Sequence, residues 1–158
     1  MAVPSILLPF LLAAPLGAQV AGTWKLASQP DLPALFEQAT VSLTPVARAK
    51  ARDRLKKINI AYPRIAITHA AGHITIRFDH RAQRMPDNAL AVAWTREDGE
   101  KFLISARMEG ESLIQTLMGE DGMLENHFHA KDGTLTLRVT VKAMELPRPI
   151  TYTLTYKP

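Results

Sequence analysis

Apolar and polar residues alternate with a period of two over the C-terminal half of the chain. In residues 150–157 the side chains of Tyr152, Leu154 and Tyr156 share one face, and threonines occupy the other. Residues 134–142 alternate in the same way, with leucine and valine on one face and mostly threonine on the other. Such alternation is typical of strands with one buried face and one face in water. It predicts a sheet that encloses an apolar interior.

The alternating segments are short and regularly spaced, and turn-forming stretches such as EDGE, MEGE, GEDG and KDG separate them. The pattern predicts about nine strands. They lie at residues 20–28, in a hairpin over 64–80, and at 90–96, 101–108, 112–118, 123–130, 134–142 and 150–157. Residues 80–88 are predicted to form a loop. Short strands at this spacing favour an up-and-down barrel or a sandwich.

Two helices are predicted between the first and second strands. Residues 31–40 begin with the capping residue Asp31 and carry a proline in the first turn. Residues 44–59 begin with the cap Thr44, which is followed by Pro45 at the first helical position. The apolar side chains of this second helix recur at a helical spacing, at Ala47, Ala51, Leu55 and Ile58.

The N-terminal segment, residues 1–18, is the most biased part of the chain. It contains no charged side chain, and an apolar run at residues 6–14 ends in small residues. This pattern predicts a signal peptide that is cleaved after Ala18. A membrane span is not expected, because the run is short and interrupted by prolines. We therefore expect residues 19–158 to form a single domain that is secreted or exported to the periplasm.

The chain contains no cysteine, which excludes disulfides, thiolate zinc sites and a thiol nucleophile. It also lacks a Gly-x-Ser-x-Gly elbow, a phosphate-binding glycine loop, a His-Glu-x-x-His motif and a dinucleotide fingerprint. We therefore expect a protein that is not an enzyme and has no cofactor. A hydrolase or an isomerase on the same scaffold is the alternative, because serine, histidine and acidic residues for a triad are present.

Positive charge is concentrated in the second predicted helix. Its six cations and one anion sum to +5 (six minus one), whereas the whole chain has a formal charge of +4. We expect this helix to contact anionic lipid surfaces, chiefly through Arg48, Arg52, Lys56 and Lys57. The alternative is a solvated helix face that aids solubility. Nucleic acid is not expected as a partner, because no aromatic residues that could stack on bases interleave with the charges.

The order of these segments resembles the fatty-acid-binding protein family of the calycin group. Four stretches carry the likeness: GTWKLAS, followed by the two helices, then AYPRIAITHAAGHITIRFD, GESLIQTLMGEDGMLENHFHAKDG and the closing TYTLTYK. The resemblance implies a mainly β, up-and-down antiparallel barrel of about 9–10 strands, with the two helices as a lid inserted after the first strand. It further implies a monomer whose cavity holds a fatty acid or a similar lipid.

The resemblance also assigns candidate site residues. It places the face with Glu125, His127 and His129 in the barrel interior, with His129 where many family members carry an arginine. Tyr156 matches the tyrosine of the family's terminal Arg-x-Tyr motif, whose arginine is replaced here by Leu154. The ligand-binding residues implied in this way are His127, His129, Tyr152, Leu154, Tyr156, Gln115, Leu137 and Val139.

In this interpretation the histidines and tyrosines bind the headgroup of the ligand, and the aliphatic residues contact its tail. A protonated imidazole attracts a carboxylate, so we expect the affinity for a fatty acid to weaken from about pH 6 to about pH 8. One alternative is a metal or haem site made by Glu125, His127 and His129. Another is that these histidines are interior polar residues bridged by water, or face solvent because the strand register is shifted.

Overall fold

The computed structural model describes residues 19–58 and 61–158. The strands in this part of the chain are β1 (Gly22–Ser28), β2 (Arg64–Ala70), β3 (His73–Phe78), β4 (Arg81–Pro86), β5 (Val92–Thr95), β6 (Lys101–Glu109), β7 (Ser112–Met118), β8 (Gly122–Lys131), β9 (Thr134–Ala143) and β10 (Ile150–Lys157). The helices α1 (Leu32–Thr40) and α2 (Pro45–Ile58) lie between β1 and β2. The predicted signal peptide, residues 1–18, and the predicted end of α2 at residue 59 lie outside the described residues.

The strands form one antiparallel sheet in the order β4-β3-β2-β1-β10-β9-β8-β7-β6-β5. Consecutive strands pair with each other except β4 and β5, and β10 returns to pair with β1. The sheet curls into a nearly closed barrel whose two edges, β4 and β5, share no ladder within the described residues. An isolated bridge between Asn88 and Arg107 links the segment before β5 to β6. The predicted up-and-down barrel with a two-helix insertion is confirmed.

β4 overturns one expectation from the sequence, namely that residues 80–88 form a loop. Residues Arg81–Pro86 instead form a strand that pairs with β3 along its whole length. The buried side chains of this strand are Gln83 and Met85. Because one of these two is polar, the apolar alternation that marks the other strands is missing here. Pro86 stands at the end of an edge strand, where the missing N–H is tolerated.

The inner faces of β9 and β10 are those that the alternation predicts. Their buried side chains are Leu135, Leu137, Val139 and Val141 on β9, and Tyr152, Leu154 and Tyr156 on β10. The hairpin of β2 and β3 adds Ile65, Ile67, Ile74 and Ile76. Burying one aliphatic side chain of this size stabilises the fold by about 1.5–3 kcal/mol, so this lining is a main driving force for closure of the barrel.

The two helices pack on the barrel through short apolar faces. On α1, the ring of Phe36 packs against the Tyr152 ring in a T-shaped arrangement, with 6.3 Å between the ring centroids. On α2, Ala51 and Leu55 are buried, as the helical spacing predicts. The Asp31 carboxylate caps α1 by accepting a backbone N–H of the first turn. No helix among the described residues combines the length and the apolar character that a bilayer span requires.

Candidate ligand-binding cavity

A cavity of about 970 Å³, a volume that includes the part open to solvent, lies between the inner faces of the strands. Its apolar wall includes Phe78, Phe102, Leu117, Leu137, Val139 and Leu154. Its uncharged polar lining includes Gln83, Asn126 and Tyr152, and α2 contributes Arg54 and Lys57. A largely apolar cavity with a few polar groups in its lining is typical of sites for small organic ligands.

Half of the residues predicted to bind a ligand line this cavity: Leu137, Val139, Tyr152 and Leu154. They lie on β9 and β10 at the inward positions of the alternation. Their contact with a ligand stays a prediction. Gln115 and Tyr156, two further predicted residues, are fully buried but are not among the described residues that line the cavity.

β8 has the opposite orientation to the one that the resemblance implies. Its buried residues are Asn126, Phe128 and Ala130, which are 5%, 0% and 4% exposed. The residues that alternate with them, and that therefore lie on the outer face of the barrel, are Glu125, His127 and His129. The prediction that the two imidazoles face the interior is wrong.

The burial of Phe128 explains this orientation. A shift of one residue in register reverses the face of every side chain in a strand. The resemblance set the register by the position of a family arginine, whereas in the structure the large apolar ring takes the interior, because it gains most from burial. Phe128 and Ala130 carry this signal in the sequence, but the polar Asn126 on the same face weakens it.

Each imidazole of β8 has a hydrogen-bond partner on the outer face. Oγ of Ser112 lies 3.1 Å from Nδ1 of His129. Arg138 donates from Nη2 to Nδ1 of His127 at 3.0 Å. Burial, and after it the charge of Arg138, lower the pKa of His127, which favours the neutral imidazole that accepts this bond. The predicted pH dependence of ligand affinity therefore has no cause in these two histidines.

The alternative of a metal or haem site at Glu125, His127 and His129 gains no support from the structure. Across residues 19–58 and 61–158, no group of three or more histidine, aspartate or glutamate side chains is arranged to hold a metal ion. The Nδ1 lone pair of His127 is already used by Arg138, a cation that also disfavours a metal ion nearby.

Three amide side chains form a buried hydrogen-bonded chain at the cavity. Asn126 on β8 donates from Nδ2 to Oε1 of Gln115 on β7 at 3.0 Å. Gln115 donates from Nε2 to Oε1 of Gln83 on β4 at 2.6 Å. Of the three, Gln115 alone is predicted as a site residue from the sequence, because Gln83 belongs to the unexpected strand and the resemblance places Asn126 on the outer face. All three are polar residues at inward positions of their strands, and the sequence alone does not distinguish such positions from outward ones.

Arg96 is the buried cation of the cavity lining, with 7% of its surface exposed. It donates to Asp98 over 2.9 and 2.7 Å and also binds Glu100. The hydrogen bonds from Arg96 lower the pKa of Asp98 to about 2. The guanidinium also lies 5.3 Å from the centroid of the Phe102 ring, which is a favourable cation–π distance. Arg96 is therefore held in place by partners of its own.

The basic face of α2 is partly neutralised by its neighbours. Arg48 donates to backbone carbonyls at the C-terminal end of α1. Arg52 forms an ion pair with Glu37 of α1, and Arg54 forms one with Asp121 in the β7–β8 turn. These arginines therefore join α2 to the rest of the protein.

Lys56 and Lys57 are the cations of α2 that stay available at its C-terminal end. Both are exposed, and Lys57 also lines the cavity. Neither forms a salt bridge with a residue that the structure describes. The membrane contact predicted for Arg48, Arg52, Lys56 and Lys57 stays a prediction, and the two lysines are its stronger candidates.

The architecture defines a class of protein: an antiparallel ten-stranded barrel with two helices after the first strand and a cavity between the inner faces. Solved structures with this architecture are fatty-acid-binding proteins and related calycin-like barrels. The resemblance of fold that the sequence predicts is thereby confirmed.

Three solved structures illustrate the likeness. A REP1-NXSQ fatty acid transporter is 21% identical with a TM-score of 0.56, over 89% of this chain and 96% of that chain. The Schistosoma mansoni fatty acid binding protein in complex with arachidonic acid is 14% identical with a TM-score of 0.57, over 90% and 97%. Secretory abundant heat soluble protein 4 from Ramazzottius varieornatus is 14% identical with a TM-score of 0.59, over 92% and 98%. No family model and no curated protein matches the sequence.

Proposed function

We propose that the protein binds a small lipophilic molecule, a fatty acid or a similar lipid, in the barrel cavity and transports it. The observation that carries this proposal is the cavity between the inner faces of the strands, with its apolar wall. A fatty acid transporter and a fatty acid binding protein in complex with arachidonic acid have the same fold, which supports the proposal.

A carrier is favoured over an enzyme by the position of the one serine–histidine pair found in the described residues. Ser112 and His129 meet on the outer face of the barrel, and neither lines the cavity. The described residues also supply no hydrogen-bonded carboxylate to orient His129, which a hydrolytic triad requires.

Export and membrane contact complete the proposal. The N-terminal signal pattern favours a protein that acts outside the cytoplasm. Lys57 stands at the cavity lining and Lys56 is exposed next to it, so an anionic lipid surface attracted by these cations would approach the cavity.

Analysis of the protein purified from its own host tests the proposal. Native mass spectrometry and lipid extraction should detect an acyl-chain lipid at about one molecule per chain, because small barrels hold one ligand. The visible absorption spectrum should show no haem band. A protein that carries no lipid, and that binds none when lipids are added after delipidation, would contradict the proposal.

A further inference from the structure

The amide chain Asn126–Gln115–Gln83 joins three strands at the polar part of the cavity. The outer members, Gln83 and Asn126, both line the cavity, and Gln115 connects them. Their side chains are 4%, 0% and 5% exposed for Gln83, Gln115 and Asn126. All three amides are therefore withdrawn from bulk water, and Gln83 and Asn126 border the space that a ligand would fill.

The two ends of this chain have opposite hydrogen-bonding character. Nε2 of Gln83 donates to no described residue, and Oδ1 of Asn126 accepts from none. Each link uses the N–H of one amide and the C=O of the next, so the chain always ends in one free N–H group and one free C=O group. Reversing all three amides would exchange the ends without removing either. A ligand group that contacts both ends must therefore donate and accept at once.

The described cationic side chains that line the cavity form no hydrogen bonds with these amides. The arginines that line the cavity and are described, Arg54, Arg81 and Arg96, are each ion-paired with carboxylates, although Nε of Arg81 is buried without a partner among the described residues. The lysines that line it, Lys57 and Lys142, are exposed to solvent. No described cation is hydrogen-bonded to any of the three amides.

An ionised carboxylate fits this site poorly for two reasons. It would lose its hydration next to neutral amides, none of which is hydrogen-bonded to a described cation. It is also an acceptor only, so it would face the carbonyl oxygen of Asn126 without a proton between them. A primary amide or a hydroxyl group avoids both penalties, because it is uncharged and supplies a donor as well as an acceptor.

We propose that the amide chain selects lipids whose polar end is uncharged and both donates and accepts hydrogen bonds, such as primary fatty amides or fatty alcohols. This inference rests on the proposed function, since it names the headgroup class that the same cavity takes. In it, Gln83 and Asn126 contact the headgroup, and Gln115 positions both of them.

The experiment compares three ligands with the same acyl chain on the delipidated full protein at about pH 8, where a free carboxylic acid is ionised. Dodecanamide donates and accepts, methyl dodecanoate is neutral but only accepts, and dodecanoate is charged and only accepts. Trp94 lines the cavity, so its fluorescence reports occupancy. We expect dodecanamide to bind about tenfold more tightly than either of the other two ligands.

Substitution of Gln115 links this preference to the amide chain. In Gln115→Leu the two hydrogen bonds that orient Gln83 and Asn126 are lost, and we expect the preference for dodecanamide to fall below about twofold. Thr116→Leu is the matched control, since it changes the neighbouring half-exposed residue on the other face of β7. This control should keep the full preference.

The outcomes separate this inference from the proposed function. If dodecanoate binds as tightly as dodecanamide, the headgroup inference is overturned and lipid binding stands. The amide chain is not the selective element if Gln115→Leu folds and keeps the full preference. Should none of the three ligands bind to the wild-type protein, the proposed function itself fails. The ligand comparison in the wild type decides the headgroup class even if Gln115→Leu does not fold.

Discussion

Tyr156 carries a buried phenolic oxygen that has no hydrogen-bond partner among the described residues. The side chain is fully buried, and burial raises its pKa above the usual value. The resemblance predicts this residue as a headgroup ligand, but it is not part of the described cavity lining. An unsatisfied buried hydroxyl destabilises a fold by about 1–3 kcal/mol, so this oxygen should lower stability locally.

Replacement of Tyr156 by phenylalanine tests this interpretation. Tyr156→Phe removes the unpaired oxygen and should leave the free energy of unfolding unchanged or raise it by about 1 kcal/mol. Tyr62→Phe is the control, because Oη of Tyr62 accepts a hydrogen bond from Arg81 at 3.1 Å and its loss should destabilise. A clear loss of both stability and lipid affinity in Tyr156→Phe would instead support the headgroup role.

The same variant should change the alkaline stability of the protein. The pKa of Tyr156 is raised in the folded state, so the unfolded state loses its phenolic proton first, near the usual value of about 10. Ionisation of Tyr156 therefore leaves the free energy of unfolding unchanged below about pH 10 and lowers it as the pH rises further. Guanidinium unfolding from about pH 8 to about pH 11 should show a shallower loss in Tyr156→Phe than in the wild type.

Single positions were predictable where their strand has an unbroken apolar alternation. Leu137, Val139 and Leu154 were assigned to the interior from sequence, and the structure places them there. Gln83 and Asn126 were missed, because a polar side chain at an inward position looks like an outward one when only the sequence is read. Interior polar residues are recognisable only when their hydrogen-bond partners are known.

In α2, local sequence signals determine the start and the buried face of the helix, whereas tertiary contacts determine which of its charges are paired. Its start at Pro45 and its buried residues Ala51 and Leu55 follow from the capping pattern and the helical spacing. Its charge does not act as one patch, because Arg52 and Arg54 are paired with carboxylates of other elements. The cations of α2 without a salt bridge to a described residue include Lys56 and Lys57 at the C-terminal end of the helix.

We predict that charge reversal at this end weakens membrane binding. Lys56→Glu plus Lys57→Glu should lower binding to vesicles that contain anionic lipid by roughly tenfold or more, because each cation near the surface contributes about 1 kcal/mol. Lys131→Glu plus Lys157→Glu makes the same charge change at exposed lysines of β8 and β10 and should have a smaller effect. Vesicle co-sedimentation measures both. Equal binding of the two double variants would contradict a role for α2.

At the scale of the whole molecule, ligand binding depends on a barrel interior that side chains do not fill completely. Ten strands form a barrel whose lining leaves a cavity of about 970 Å³, including its opening. Barrels of this kind either fill with side chains or hold one small ligand. A larger side chain that extends into this space should therefore exclude the ligand and change the stability of the fold only slightly.

Val139 offers the test of this property. Val139→Phe places a ring in the cavity and should weaken the binding of any acyl-chain ligand by about tenfold or more, while the melting temperature changes little. Thr140→Phe, which adds the same ring on the outer face of β9, should leave affinity unchanged. Trp94 fluorescence titration and thermal unfolding measure the two quantities. Unaltered affinity in a folded Val139→Phe would exclude the cavity as the binding site.

Features that depend on neighbours along the chain follow from the sequence alone. The cap at Asp31, the start of α2 at Pro45 and the inward faces of β9 and β10 belong to this group, because capping bonds and a two-residue period act over a few residues. The strand β4, the inward face of β8 and the amide chain depend on contacts between distant residues. Gln83 and Gln115 are 32 positions apart, so only the folded barrel brings them into hydrogen-bonding distance.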